Sequence, residues 1–141
     1  MDDDFAAVDA GDAARLVAMM HATDAWPAVR AAREWVLDRV ALRSNMIVLD
    51  VGCGPGTFGI LAATRGAVAV DVDRSRAMLD AARGAHPAAL VIGGDVADLP
   101  LRDGAAALTH VERVLQWAPD PGAALAELAR VTAPGGRLAV T

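Results

Sequence analysis

Three glycines and an acid crowd the segment Val48-Leu-Asp50-Val-Gly52-Cys53-Gly54-Pro-Gly56. A short apolar run leads into it and a helical pattern leaves it from Thr57. Glycine permits positive φ and places no side chain between backbone and ligand, so such a turn can bring a ligand close to the start of the next helix. The glycines follow a G-x-G-x-G pattern, whereas a pyrophosphate cradle uses G-x-G-x-x-G. Asp50 would be unfavourable beside a pyrophosphate. It suits a ligand end whose ammonium needs an acceptor and whose carboxylate needs donors. The alternative is a purely structural turn that needs glycine for close packing. Cys53 reads as a small filler, with a reactive thiol as the alternative.

Two further acids stand at the ends of apolar runs. Asp73 lies 21 residues after Gly52, a spacing at which a carboxylate accepts from both hydroxyls of a ribose. Its other reading is a helix cap, since Ser75 and Arg76 follow. Asp71 is two residues earlier, so it shares a face with Asp73 but lies deeper. It reads as a solvated or salt-bridged strand residue. In Gly93-Gly-Asp95-Val96-Ala97-Asp98-Leu-Pro100, Asp95 could accept from the exocyclic amine of an adenine, and Val96 could offer backbone and an apolar edge. An acidic turn is the plainer account of the same residues.

The elements that must position these groups follow from periodicity. Helices are expected over Ala6–Met20, from Pro27 to about Val40, over Thr57–Thr64, over Arg76–Arg83, and from the Asp120-Pro121 cap signal to Val131. In the second helix Val29, Arg33, Val36, Leu37 and Val40 recur at near-helical spacing. Strands are expected at Met46–Val51, Ala67–Val72, Ala89–Ile92, a weaker Ala105–His110, and Arg137–Thr141 after a turn at Pro134-Gly-Gly136. Alternating strands and helices favour a parallel sheet covered on both faces.

Composition narrows the function. The 141 residues are 55% hydrophobic with a formal charge of −5, which rules out a disordered chain and disfavours binding by phosphate neutralisation. Three tryptophans and no tyrosine argue against stacking platforms for single strands. No nucleic-acid or membrane partner is expected. The longest uncharged stretch, Val51–Thr64, is too short to cross a bilayer. Met1–Asp4 is acidic where a targeting segment is basic, so the cytoplasm is the default location. A single cysteine excludes an intramolecular disulfide and a cysteine-only metal site. No metal site is expected.

Taken in order, these segments resemble the class I S-adenosylmethionine (SAM)-dependent methyltransferase domain of the family that includes the ubiquinone and menaquinone C-methyltransferases and many small-molecule methyltransferases. Val48–Gly56 resembles that family's first motif. Asp73-Arg74-Ser75-Arg-Ala-Met78-Leu79 resembles its acidic strand end. Gly94–Pro100 resembles its adenine loop. Val114–Asp120 and Leu128–Gly136 resemble its later blocks. The resemblance covers about Ile47–Thr141. It implies a Rossmann-like five-stranded parallel core in the order 3-2-1-4-5, residues 45–141, preceded by a helical lid segment, residues 1–44. Family members continue with a helix and an antiparallel strand pair, which this sequence lacks. The fifth strand is therefore expected to be an open edge that invites a second copy.

The resemblance also assigns roles. Asp50, Gly52, Cys53, Gly54 and Gly56 should surround the amino-acid end of SAM. Asp73, with Arg74 and Met78 beside it, should serve the ribose. Asp95, Val96 and Ala97 should meet the adenine. His110 to Arg113 should lie near the methionine part and the methyl acceptor, a small molecule, with His110 and Glu112 as the candidates for acid–base work. Trp117 and His21 either line the pocket or serve packing and surface. His86 is expected at the surface. Ala106-Ala107 stands where many members carry Phe-Asp, which predicts a weak fourth strand. A non-catalytic SAM-binding module and a nicotinamide-dependent enzyme are the competing functions.

Overall fold

The computed structural model describes residues 11–141. Helix α1 is Ala13–Asp24, capped by Asp12, whose carboxylate accepts from the Arg15 N–H at 3.0 Å; the expected helix Ala6–Met20 begins outside the described residues. Helix α2, Pro27–Asp38, opens on the proline, where a missing N–H costs nothing. Then come β1 (Ile47–Val51), α3 (Thr57–Ala63), β2 (Val68–Asp73), α4 (Arg76–Ala85), β3 (Leu90–Gly93), β4 (Ala106–Val111), α5 (Pro121–Val131) and β5 (Thr132–Val140), with a single 3-10 turn at Leu115–Trp117 before α5. Ser75 caps α4 through the Met78 N–H and Asp120 caps α5 through the Ala123 N–H, the local chemistry the sequence signals.

The five strands form one sheet in the order β3-β2-β1-β4-β5. Every pairing is parallel. One face is covered by α3 and α4, with α2 outside α3; Val48 and Leu108 there pack with Phe58, Ala62, Val36 and Leu37. On the other face Leu49, Val51, Val70, Val72 and Val111 pack with Leu128 and Val131 of α5. Strand interiors covered on both faces must be apolar on both, and β1, β2 and β4 largely are.

Three expectations need correction. First, within the described residues the first helix is not bounded by Met20: it starts after its cap Asp12 and runs to Asp24. Residues 94–105, between β3 and β4, form a loop on the α5 face. Leu99 anchors it in the core, its N–H donates to Glu127, and Arg130 donates to the Leu99 and Leu101 carbonyls. Those bonds satisfy backbone groups that a helix would have satisfied internally. Second, β4 is not weak. It is an interior strand, and Ala106, Leu108, Thr109, His110 and Val111 are all buried. The small Ala106 lets α5 pack closely against it. Third, β5 starts at Thr132, which pairs with Ala106 directly after α5, not at Arg137. Pro134-Gly-Gly136 is an irregularity inside the ladder, with Gly135 at φ +77°. It behaves as a bulge and not as a turn between elements.

Candidate functional site

The carboxyl ends of the strands, where α/β sheets bind ligands, hold a cleft of about 290 Å³. Its floor is the turn after β1. Gly52, Gly54 and Gly56 have φ of +72°, +52° and +79°, a region that side-chain-bearing residues avoid. Each glycine has its own reason for lacking a side chain. A Cβ on Gly52 would fall 2.2 Å from Val114 Cγ2, and one on Gly56 would fall 3.0 Å from Ala82 Cβ. A Cβ on Gly54 would meet only Met20 Cε, at 3.6 Å, and would project into the cleft. Close packing thus explains Gly52 and Gly56. Gly54 instead borders the open cleft.

Asp73 ends β2 beside this turn. Its carboxylate accepts from the Gly54 N–H through Oδ2 and from the Ser75 N–H through Oδ1, both at 2.9 Å. It therefore serves local backbone without capping α4, whose cap is Ser75, and it lines the cleft. A carboxylate offers about four acceptor sites, so the two bonds to Gly54 and Ser75 do not exhaust it. Burial raises its pKa, against the lowering effect of the backbone N–H bonds. Asp95, exposed at the lip, accepts from the Ala97 N–H at 2.8 Å in an Asx-turn and also lines the cleft. Arg74, Met78 and Val96 join the lining, and Ala97 faces away from it.

The structure separates the other sequence candidates. Asp50 is buried beneath the turn, and its carboxylate meets His110 Nδ1 at 2.8 Å. His110 is 1% exposed and stacks on Phe58, with ring centroids 3.7 Å apart. Neither residue lines the cleft. The cause is strand register: Asp50 and His110 are partners in adjacent strands and share the face that α3 covers. Glu112, two residues on, does reach the cleft, as do Arg113 and Trp117. Burial would raise the Glu112 pKa, but ion pairing, first with Arg33 and then with Arg113 and His110, holds it below the ordinary carboxylate range. His110 Nε2 stands 3.8 Å from Glu112 Oε2. Cys53 is buried, outside the lining, and its thiol pKa is pushed far up by burial and by Asp50, which excludes a reactive thiol. His21 is exposed and does not line the cleft, whereas His86 is half-buried, its Nδ1 without a hydrogen-bond partner among the described residues.

Asp71 differs most from its sequence reading. It is fully buried, and neither carboxylate oxygen has a hydrogen-bond partner among the described residues. It is neither solvated nor salt-bridged. It lies in register beside Asp50, under Gly56 and Gly59.

A glycine turn, acids at the ends of β1 and β2 and after β3, and polar residues ending β4 are the arrangement the sequence resemblance implied. A family model described as "Methyltransferase domain" matches residues 49–140. The chain belongs to the methyltransferase-domain family. Its fold is that of the class I SAM-dependent methyltransferases, and SAM is the cofactor for which this fold is built. Among relatives of this methyltransferase-domain chain, an uncharacterized 37.1 kDa protein of transposon TN4556 from Streptomyces fradiae is 42% identical over 118 residues, 79% of this chain and 34% of its own length. A malonyl-[acyl-carrier protein] O-methyltransferase from Serratia marcescens is 43% identical over 89 residues, 63% of this chain and 35% of its own. The chain thus spans about a third of both relatives. A solved Methanococcus maripaludis protein, described as a putative S-adenosyl-L-methionine-dependent methyltransferase, shares the fold at TM-score 0.71 and 22% identity, over 77% of this chain and 52% of that one.

Met20 from α1 lines this methyltransferase cleft and carries no sequence motif, while Val114, Gln116 and Pro119 around the 3-10 turn bring the Val114–Asp120 block to it without a role assigned from sequence. Met20 belonged to the apolar stripe of the first helix, and a stripe alone does not separate core from ligand contact. Arg33 gave a clearer signal, a cation at a position of α2's apolar spacing. The structure buries it to 8% exposure.

Proposed function

We propose that this chain is the SAM-binding core of a methyltransferase acting on a small-molecule acceptor, with residues 1–44 as a lid segment over the cofactor. The observation that supports this most is the Gly54 position: a bare backbone at positive φ, open to the cleft, with Asp73 and Asp95 on successive strand connections around it. Asp73 would accept from the ribose hydroxyls with its remaining acceptor sites. Asp95 and Val96 would meet the adenine. The buried Asp50, paired with His110 beneath the turn, would act on the amino-acid end only as a nearby negative charge. SAM, when bound, supplies an electrophilic methyl group on a sulfonium sulfur.

The chain's own contribution is then mostly orientation and exclusion of water. Met20, Val114, Trp117 and Pro119 give the cleft an apolar wall at its outer part. If the acceptor must lose a proton, Glu112 is the acid–base candidate at the cleft, a weak base while Arg33 holds it. His110 would act only through Glu112. The relatives named as malonyl-[acyl-carrier protein] O-methyltransferases make carboxylates the first acceptors to test. No helix of the described residues is long and apolar enough to cross a membrane.

A second reading has its own support, because the chain spans about a third of its relatives' lengths. In that reading it binds SAM and needs a further segment or a partner for turnover. Incubation with SAM and a panel of malonyl thioesters, phenols and amines, read as S-adenosylhomocysteine formed, distinguishes the two. Product with any acceptor above the no-acceptor control supports catalysis. SAM binding without product across the panel supports the module.

A further inference from the structure

We propose that Arg33 is a positioning residue for the cofactor cleft, holding α1 over the glycine turn through a buried ion network. This rests on the SAM-binding reading above and adds a residue that no motif marks. Arg33 uses four of its five N–H donors. Nη2 donates to Asp24 Oδ1 at 2.8 Å and to Glu112 Oε1 at 3.1 Å, Nε donates to Glu112 Oε2 at 2.8 Å, and Nη1 donates to Thr57 Oγ1 at 2.9 Å. Thr57 in turn donates to Asp24 Oδ2. Arg113 closes the set, 2.8 Å from Glu112 Oε1 and 3.5 Å from Asp24 Oδ1. Two carboxylates face two guanidiniums, so the cluster is neutral as a whole.

These five residues come from four separate places in the fold. Asp24 ends α1, Arg33 is in α2, Thr57 is the first residue of α3, directly after the glycine turn, and Glu112 and Arg113 follow β4. Arg113 holds φ +57° there, and its N–H donates to the Thr141 carbonyl. Asp24 lies four residues after Met20, so both project from the same face of α1. Fixing Asp24 therefore fixes Met20, whose Cε approaches Gly54 at the cleft. A bare apolar contact between α1 and the core would let the helix slide. Arg33's planar, forked donors demand one geometry.

Three variants test the assignment, each read twice: SAM dissociation rate by stopped flow, and hydrogen exchange of residues 13–24 in the cofactor-free protein. Arg33→Met should raise the dissociation rate at least tenfold and release protection in α1, while β1, β2 and β4 stay protected. Arg33→Lys should recover only part of both effects. Met20→Ala should raise the dissociation rate with α1 protection unchanged, because it removes the contact and keeps the anchor. If Arg33→Met leaves Asp24 and Glu112 too poorly compensated to fold, Arg33→Met with Glu112→Gln restores charge balance and should show the same loosened α1. Parental dissociation and α1 protection in either form, or Met20→Ala with parental dissociation, overturns the assignment. A parent protein that binds no SAM refutes the functional reading instead, and the two failures are thereby separable.

Discussion

Replacing Asp71 with asparagine should make the protein's stability less dependent on pH between 5 and 8. Asp71 is 0% exposed, without a hydrogen-bond partner among the described residues, and in register with the carboxylate of Asp50. There is room for it only because position 59 of α3 is glycine: a Cβ there would fall 2.4 Å from Asp71 Oδ1. Burial first, and Asp50 second, push the Asp71 pKa from 3.8 to about 7. The folded protein therefore keeps a proton that the unfolded chain gives up at lower pH. The stability linked to this proton is complete below the unfolded pKa and is lost as pH rises through about 7. At 1.36 kcal/mol per pH unit, the loss between pH 5 and pH 8 is roughly 3 kcal/mol. Asparagine has nearly the same shape and does not titrate. Its own buried amide carries a cost, but one independent of pH. The readout is thus the difference between parent and Asp71→Asn unfolding free energies, from urea titrations at pH 5, 6, 7 and 8. Using the difference cancels the titrating groups that do not interact with position 71. The variant should gain on the parent by roughly 2–4 kcal/mol across the series. Parallel curves for the two proteins would refute the reasoning and return Asp71 to an ordinary ionised strand residue.

Other outcomes follow from the same geometry. Gly54→Val should abolish SAM binding in a calorimetric titration, since it places a β-branched side chain at φ +52° and into the cleft; binding equal to the parent would sink the loop assignment. Asp73→Ala should weaken SAM by roughly 1.5–4 kcal/mol, the scale of lost charge-assisted hydrogen bonds, with some loosening of the turn because the Gly54 and Ser75 N–H groups lose their acceptor. An affinity within a factor of two of the parent would place the ribose elsewhere. Strand β5 is an outer strand of the sheet with Val140 49% exposed, and such edges recruit other strands. Light scattering after size exclusion should show self-association of this chain rising from roughly 10 to 200 μM, and a monomer throughout would reject the edge argument.

The glycine turn and the placement of most elements were legible because each rests on local chemistry, whereas the order of the sheet came from the family resemblance. The cap at Asp120, proline at the first turn of α2 and α5, and the glycines of the turn after β1 all act within a few residues of themselves. What the sequence hid depends on contacts across the fold. Asp71 and Asp73 alternate with apolar residues in the same strand, and only the arrival of α3 over the first of them seals it from water. Asp50 and His110 look like two independent site residues until strand register pairs them beneath the turn. Pro134-Gly-Gly136 spells a turn, yet pairing with β4 on both sides absorbs it into one strand. Arg33 was legible as an anomaly, a cation among apolar positions, although the partners that stabilise it there are drawn from α1, α3 and the end of β4.

The central claim is that the cleft at the carboxyl ends of the strands is made for SAM, and calorimetric titration of the folded chain tests it most directly. SAM and S-adenosylhomocysteine should each bind at one site per chain with micromolar affinity, and NAD should give no saturable heat at the same concentrations. A chain that melts cooperatively yet gives no saturable heat with SAM up to millimolar concentration, or that binds NAD as tightly as SAM, would contradict the account.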